Sequence, residues 1–287
     1  MINRRTFFIG AALGANTSAA PKPALRLAFS LYGMKTLPLD EAVQACKEIG
    51  YEGVEVCLLQ GWPVERTILK DTLAKHKMLA ASFMEKLTAV VEPAEQAKQL
   101  NRLRNAADLS LAVDASNPPV IETVLGGKPQ DWEPRKDRIA DRIREWAGVM
   151  ERRKVILCVK AHVAAAVDTP EKLLWLHKQV NSPFLKLTYD YSHYQLMGLD
   201  PALTMKQIVP FTRFVHVKDA AGTAENPKFL LVGDGRLDYK EHFRMLRKLG
   251  YRGWIVVEVS SQLHSRNDYN PLRAARQCFE RLKPVLD

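Results

Sequence analysis

The chain has 287 residues, of which 47% are hydrophobic and 26% are charged, with 15 Gly and 16 Pro. This length suits one large domain, and the composition excludes a disordered, collagen-like or coiled-coil chain. The formal charge of +10 would suit an anionic partner. The basic residues are scattered along helical segments without interleaved aromatic residues, so we predict no nucleic-acid partner. No apolar stretch after residue 20 is long enough for a membrane span, which predicts no stable membrane anchoring.

Residues 1–20 have the order of an export signal. Arg4 and Arg5 open the segment, an apolar run extends from Phe7 to Ala15, and small residues close it at Ser18-Ala19-Ala20. The paired arginines resemble the twin-arginine signal, whose pathway exports folded proteins. We therefore expect a periplasmic or otherwise exported protein without residues 1–20. The alternatives are an amphipathic N-terminal strand or a fortuitous arginine pair.

The four cysteines indicate buried thiols. Cys57 and Cys158 lie in apolar strand-like runs, and Cys46 and Cys278 lie in helical patterns. None lies in a loop, where the disulfides of secreted proteins concentrate, and no closely spaced pair suggests a metal site. We predict four free thiols.

Apolar runs alternate with segments of helical period from residue 24 onward. Strands are predicted at 25–32, 53–59, 79–83, 120–125, 155–161, 185–191, 213–218 and 254–260. Helices are predicted at 40–49, 64–76, 94–107, 132–153, 170–180, 201–208, 239–249 and 271–286, and mouth loops at 126–133 and 220–238. Eight nearly continuous apolar strands separated by helices predict an α/β fold, a single (β/α)8 TIM barrel over residues 24–287.

Polar side chains interrupt or close six of these eight strands. They are Glu55 on strand two, Glu122 on strand four, Lys160 and His162 on strand five, Asp190 and His193 on strand six, His216, Lys218 and Asp219 on strand seven, and Glu258 on strand eight. Catalytic groups of a barrel come from the carboxyl ends of its strands. Burying so many charges is costly unless they pair or hold a cation, so we expect one functional site at this face.

Four motifs carry a resemblance to a known family. They are Tyr189-Asp-Tyr-Ser-His193, Phe214-Val-His-Val-Lys-Asp219, Val232-Gly-Asp-Gly235 and Val256-Val-Glu258. Residues 25–285 resemble the xylose isomerase-like barrels, the sugar phosphate isomerase/epimerase superfamily that includes inosose dehydratases and the endonuclease IV group. The resemblance implies a divalent metal (Mn, Mg, Co or Zn) held by Glu, Asp, His and Glu on strands five to eight. It also implies a small-molecule carbohydrate substrate.

Asp190, His216 and Glu258 match three of the four implied ligands, but Lys160 stands where the family has Glu. Three interpretations stay open. In the first, the ammonium of Lys160 replaces the cation. In the second, Asp190, His216 and Glu258 hold a metal with Glu122, His162 or water as further ligands, and Lys160 acts as an acid/base because desolvation lowers its pKa. In the third, Lys160 reaches solvent. We favour the retained metal.

The other residues receive roles with alternatives. His193 resembles the family's substrate-binding histidine, or is satisfied by loop carbonyls. Glu55 orients substrate, acts as a base or forms an ion pair. His162 and Lys218 are substrate-binding candidates, and Asp219 binds hydroxyls or caps a loop. Glu258 is both a metal ligand and a candidate base.

These assignments predict an enzyme, namely an isomerase, epimerase or lyase that removes a proton next to the carbonyl of a sugar or keto-sugar. The metal or Lys160 would stabilise the enediolate. Without a strand-five Glu, two-base epimerisation is less expected than one-base isomerisation or β-elimination. The alternatives are a sugar-binding barrel without catalysis and a DNA-repair nuclease like endonuclease IV, which the export signal disfavours. A homo-oligomer is left open.

Overall fold

A computed structural model describes residues 25–59 and 66–286. Their strands are β1 Arg26–Ser30, β2 Gly53–Cys57, β3 Leu79–Met84, β4 Val120–Val124, β5 Leu157–Lys160, β6 Leu185–Asp190, β7 Thr212–Val217, β8 Asp219–Gly222, β9 Pro227–Leu230 and β10 Trp254–Val257. Eight of them form a closed parallel barrel in the order β1, β10, β7, β6, β5, β4, β3, β2. This confirms the predicted (β/α)8 TIM barrel.

The described helices are α1 Leu39–Ile49, α2 Arg66–His76, α3 Gln96–Val113, α4 Trp132–Arg153, α5 Pro170–Val180, α6 Tyr191–Gln195, α7 Pro201–Ile208, α8 Tyr239–Lys248, α9 Ser261–His264 and α10 Pro271–Leu282. Three of them begin with proline after a side chain that accepts a backbone N–H bond, at Thr169, Asp200 and Asn270. None of the helices in the described ranges is long and apolar enough to cross a membrane.

Two predicted helix ends are wrong. Helix α3 continues to Val113 rather than Ala107, because Leu109 and Ser110 extend its buried face. Helix α10 ends at Leu282 rather than Leu286 and passes into a short 3-10 turn, Lys283–Val285. The reason is Pro284, which has no backbone N–H and so cannot continue the helical hydrogen bonds.

The sequence predicts a loop after β7. The structure instead has an antiparallel hairpin there, formed by strands β8 and β9. At its base, Oδ2 of Asp219 accepts the backbone N–H groups of Gly233, at 2.6 Å, and Gly235, at 3.2 Å. Gly233 has φ of +80°, a left-handed conformation that favours glycine. Asp219 was predicted either to bind hydroxyls or to cap a loop. In the structure it caps the loop.

The barrel interior has an apolar layer beneath a polar one. The apolar layer is a buried cluster of Ala28, Ala81, Val120, Cys158, Phe214 and Val256. Because side chains alternate along a strand, residues two positions further on point into the barrel as well. These are Glu122 on β4, Lys160 on β5, His216 on β7 and Glu258 directly after β10, and all four are largely or fully buried. The polar layer lies towards the carboxyl ends of the strands.

All four cysteines are free and buried, as predicted. Cys158 belongs to the apolar layer, and Cys46 and Cys278 pack in the main core between barrel and helices. The predicted export signal lies outside the described residues.

Candidate active site

A cavity of about 160 Å³ opens at the carboxyl ends of the strands. Six of its lining residues were predicted for the site: Glu122, Lys160, His162, His193, Lys218 and Glu258. The remaining lining residues are Tyr32, Met84, Lys86, Thr88, Val124, Phe229, Ser260 and Ser261. The charged side chains of Glu122, Lys160, Lys218 and Glu258 therefore meet at one cavity, although they come from different strands or strand ends.

Lys160 is buried in this cluster, with 2% of its side chain exposed. Its Nζ lies 2.8 Å from Oε2 of Glu258 and 2.9 Å from Nδ1 of His216. The same nitrogen lies 3.6 Å from carboxylate oxygens of Glu122 and Asp190. The interpretation that Lys160 reaches solvent is therefore wrong.

The carboxylates also decide the protonation of Lys160. Burial acts to lower its pKa, but Glu258, Glu122 and Asp190 raise it above the ordinary value. The prediction that desolvation lowers this pKa is therefore wrong, because the favourable charges outweigh the loss of water. Lys160 is a permanent ammonium in this environment and cannot serve as a neutral base.

A second ammonium lies beside the first. Nζ of Lys218 donates to Oδ2 of Asp190 and, at 2.8 Å, to Oε2 of Glu258. Ser192 donates to the other oxygen of Asp190, with Oγ at 2.6 Å. The pKa values of Asp190 and Glu258 are held well below their usual range, because the lysines outweigh the effect of burial. Both carboxylates are ionised at neutral pH.

Glu55 does not line the cavity. It is fully buried, both of its oxygens lie 3.1 Å from Nε2 of His216, and Oγ of Ser82 donates to it at 2.7 Å. Burial acts to lower the pKa of His216, but Glu55 and Glu258 raise it to about 9, so Nε2–H of a charged ring donates to Glu55 and Nδ1 lies 3.3 Å from Oε2 of Glu258. The predicted contact of Glu55 with substrate is therefore replaced by a contact that orients His216, as in the predicted ion-pair alternative. Glu55 is also the third residue of β2 and not its end.

One oxygen of Glu122 accepts no hydrogen bond. Its Oε1 is buried and lies 3.6 Å from Nζ of Lys160, which is an ion-pair contact but too long for a hydrogen bond, and no other described residue donates to it. Burial raises the pKa of Glu122 above its ordinary value, and the ammonium of Lys160 only partly opposes this. Of the acidic residues around Lys160, Glu122 alone combines a raised pKa with a place on the cavity wall.

The two histidines of the cavity, His162 and His193, pack against each other with ring centroids 4.2 Å apart and ring planes tilted by 44°. Burial lowers the pKa of His162 to about 2 and that of His193 to about 4, although Asp190 opposes the second shift. Nδ1 of His193 accepts the backbone N–H of Val163 at 3.4 Å, and its Nε2 lies 3.4 Å from Oδ2 of Asp190. Both rings are neutral at pH 7 and available for hydrogen bonds to a hydroxylated ligand.

The sequence-based search missed the cavity rim. Nζ of Lys86 donates to Oη of Tyr32 at 2.9 Å and lies 4.3 Å from the centre of the Tyr32 ring. Phe229 reaches the cavity from the β8–β9 hairpin and packs edge-on against His193 at 5.2 Å. Lys86 follows β3 by two residues, so an inspection of the end of every strand would have found it.

The predicted metal ligands do come together. One ligand atom each of Asp190, His216 and Glu258 lies within 4.8 Å of the others, and such a group could hold a metal ion. However, Nζ of Lys160 lies 3.6, 2.9 and 2.8 Å from atoms of these three residues. An ammonium cannot ligate a cation and repels it. As folded, the described residues therefore do not fit a divalent cation at this position.

Comparisons with known proteins agree with this barrel. Residues 43–284 match the family model of the xylose isomerase-like TIM barrel. Inosose dehydratase 1 of Bacillus cereus is 21% identical over 265 residues, which cover 84% of this chain and 88% of that enzyme.

Two solved structures share the fold. A structure of the IolI protein with a bound zinc atom has a TM-score of 0.76 at 15% identity and covers 91% of this chain and 99% of its own. A xylose isomerase-like TIM barrel protein from Mycobacterium smegmatis, in complex with magnesium, has a TM-score of 0.70 at 15% identity. It covers 91% of this chain and 96% of its own. Metal ions thus occur in neighbouring structures of this fold.

The curated relative is an enzyme, which supports the prediction that this chain is one too. The family model spans most of the barrel, including every strand that contributes a polar residue to the cavity. From these matches and the closed barrel, the chain belongs to the xylose isomerase-like TIM barrel family.

Proposed function

We propose that this protein is a carbohydrate-modifying lyase or isomerase that removes a proton next to a carbonyl group of a polyhydroxylated keto compound. Its similarity to inosose dehydratase supports the substrate class. One observation carries the chemistry: Glu122, whose buried Oε1 accepts no hydrogen bond, lines one small cavity together with the ammonium groups of Lys160 and Lys218. Proton abstraction next to a carbonyl needs such a base and positive charge at the oxygen that becomes an enolate.

Glu122 is the proposed base. The pKa of Glu122 is raised, so its carboxylate accepts a proton more readily than that of Glu258. Lys160 and Lys218 lower the pKa of Glu258 despite its burial. The sequence indicated Glu258 as the candidate base, whereas Glu122 is the base proposed from the structure. Glu258 instead holds both ammonium groups in place, at 2.8 Å each.

Lys160 and Lys218 are proposed to stabilise the enolate oxygen. Both line the cavity, and their positions are fixed before substrate binds, so little reorganisation is needed when charge develops. His162 and His193 are proposed to bind substrate hydroxyls as neutral rings.

The proton taken by Glu122 has two outcomes. In an isomerisation it is delivered to the former carbonyl carbon, while the hydroxyl proton of the first carbon moves to the former carbonyl oxygen, so that carbonyl and hydroxyl groups exchange places. In a dehydration it combines with the hydroxide that leaves from the β-carbon, so that a C–H and a C–O bond break, a C=C bond forms and water is released. We favour the dehydration, because the curated relative is a dehydratase.

The test is proton exchange in D2O. The full-length protein is incubated with inososes, ketohexoses and 3-keto-glycosides, and NMR follows loss of the α-proton signal and formation of unsaturated product. We expect exchange with at least one of them. Tight binding of a sugar without exchange would instead identify a sugar-binding barrel, and cleavage of abasic DNA would identify a nuclease.

A further inference from the structure

The nitrogen of Lys160 stands at the centre of the acidic cluster. Its contacts at 2.8, 2.9 and 3.6 Å reach Glu258, His216 and Asp190, the same three residues that form the candidate metal triad. A fourth carboxylate, that of Glu122, lies 3.6 Å away. Lys160 thus already contacts every group that a cation at this place would use.

Lys218 occupies the same oxygens from a second side. Oδ2 of Asp190 and Oε2 of Glu258 each contact both Lys160 and Lys218. A metal ion on these oxygens would have to displace two buried ammonium groups or lie within a few ångströms of two like charges. Both lysines are almost fully buried, with 2% of Lys160 and 3% of Lys218 exposed.

The two lysines also supply the charge that a divalent ion would supply. Together they carry two positive charges opposite the carboxylates of Asp190 and Glu258. Lys160 and Lys218 line the cavity, whereas Asp190 and His216, two residues of the candidate metal triad, do not. A ligand in the cavity therefore meets ammonium groups where it would otherwise meet a metal.

We propose that Lys160, with Lys218 beside it, is the resident cation of this site and takes the place of a divalent metal. The site binds no divalent ion at the triad, and a carbonyl or hydroxyl oxygen of the ligand accepts a hydrogen bond from Lys160. The absence of metal affinity is independent of the proposed function, whereas the hydrogen bond to a substrate oxygen rests on it.

The experiment measures metal binding directly. The chelator-treated parent protein, Lys160→Glu and Lys160→Met are titrated with Mn2+, followed by the EPR signal of the free ion, and with Zn2+ by calorimetry. Lys160→Glu removes the central charge and adds a carboxylate, and we expect it to bind one ion at least about 100-fold more tightly than the parent, because affinity rises with ligand charge. Lys160→Met adds no ligand and should gain less. Adding Asp190→Asn to Lys160→Glu should abolish the gain, which locates the ion at the triad.

Metal binding by the parent protein tests the proposal even if a variant does not fold. No saturable binding of one equivalent of Mn2+ or Zn2+, and proton exchange unaffected by EDTA, would support it. One tightly bound equivalent in the parent, or no gain in a folded Lys160→Glu protein, would overturn it. If the parent shows no exchange with any substrate, the proposed function fails, but the metal titration still answers this question.

Discussion

Nζ of Lys160 lies 2.8 Å from Oε2 of Glu258, although the two residues are 98 positions apart in the chain. They come from β5 and β10, which β6 and β7 separate around the barrel. Their contact therefore crosses the barrel interior instead of joining neighbouring strands. This pair links the acidic cluster to the cavity.

Replacing Lys160 with Met should destabilise the protein at neutral pH by about 3–5 kcal/mol, because the ionised Glu258 and Asp190 lose a buried partner. Urea unfolding of parent and variant measures this loss. Lys98→Met is the control, since Lys98 pairs with Glu95 at 3.4 Å and both side chains are exposed to solvent. That pair should contribute about 1 kcal/mol or less.

The deficit of Lys160→Met should shrink as the pH falls. In the parent, the lowered pKa of Glu258 makes a contribution that is present above its ordinary pKa of 4.5 and is lost as pH falls through the folded-state value. Without Lys160, burial favours the protonated carboxyls, so acid stabilises the folded variant relative to neutral pH. A deficit that is the same at pH 5 and pH 7 would contradict this explanation.

Replacing Glu122 with Gln should lower kcat for proton exchange by about 10²–10⁴ while the fold is kept, because the side chains are nearly isosteric. In the parent, the rate should fall as the solution is acidified through the raised pKa of Glu122, since the base must be unprotonated. The pH–rate profile measures this limb.

Glu85→Gln is the control for this loss of a buried carboxyl. Burial also raises the pKa of Glu85, but it pairs with Arg102 outside the cavity. We expect its kcat to be unchanged. An equal loss in both variants would show that Glu122 acts through the fold and not as the base.

Replacing Gly126 with Ala should destabilise the barrel mouth by more than about 2 kcal/mol. Gly126 has φ of +70°, and a Cβ there would lie 1.9 Å from the carbonyl oxygen of Thr88, a residue that lines the cavity. Gly198 has φ of +69° but open space around it, so Gly198→Ala should cost only about 1 kcal/mol. Thermal unfolding compares the two, and equal losses would mean that the close approach to Thr88 has no effect.

The four cysteines should be unreactive in the native protein at pH 8. Burial raises the pKa of Cys57 and of Cys278 to about 12, and it also raises those of Cys46 and Cys158. Thiolates are therefore scarce as well as inaccessible. Titration with a thiol reagent should give four thiols only after denaturation without reductant, and fewer than four would reveal a disulfide.

Export remains a prediction from the sequence. Replacing Arg4 and Arg5 with Lys should leave the precursor in the cytoplasm, because the twin-arginine pathway reads this pair. Cell fractionation and N-terminal sequencing measure the result. Parent protein that retains Met1 in the cytosol would contradict the prediction.

The sequence alone determined the barrel and the positions of Asp190, His216 and Glu258 on it, because a strand places its side chains by a period of two and a parallel barrel gathers its strand ends at one face. Tertiary structure alone decided how these charges pair. Lys160 contacts the carboxylates of Glu122, Asp190 and Glu258. Glu55 accepts a hydrogen bond from His216, and Oε1 of Glu122 accepts none. The protonation of each group depends on distances of a few ångströms between strands far apart in the chain, and those distances are set by how the barrel closes.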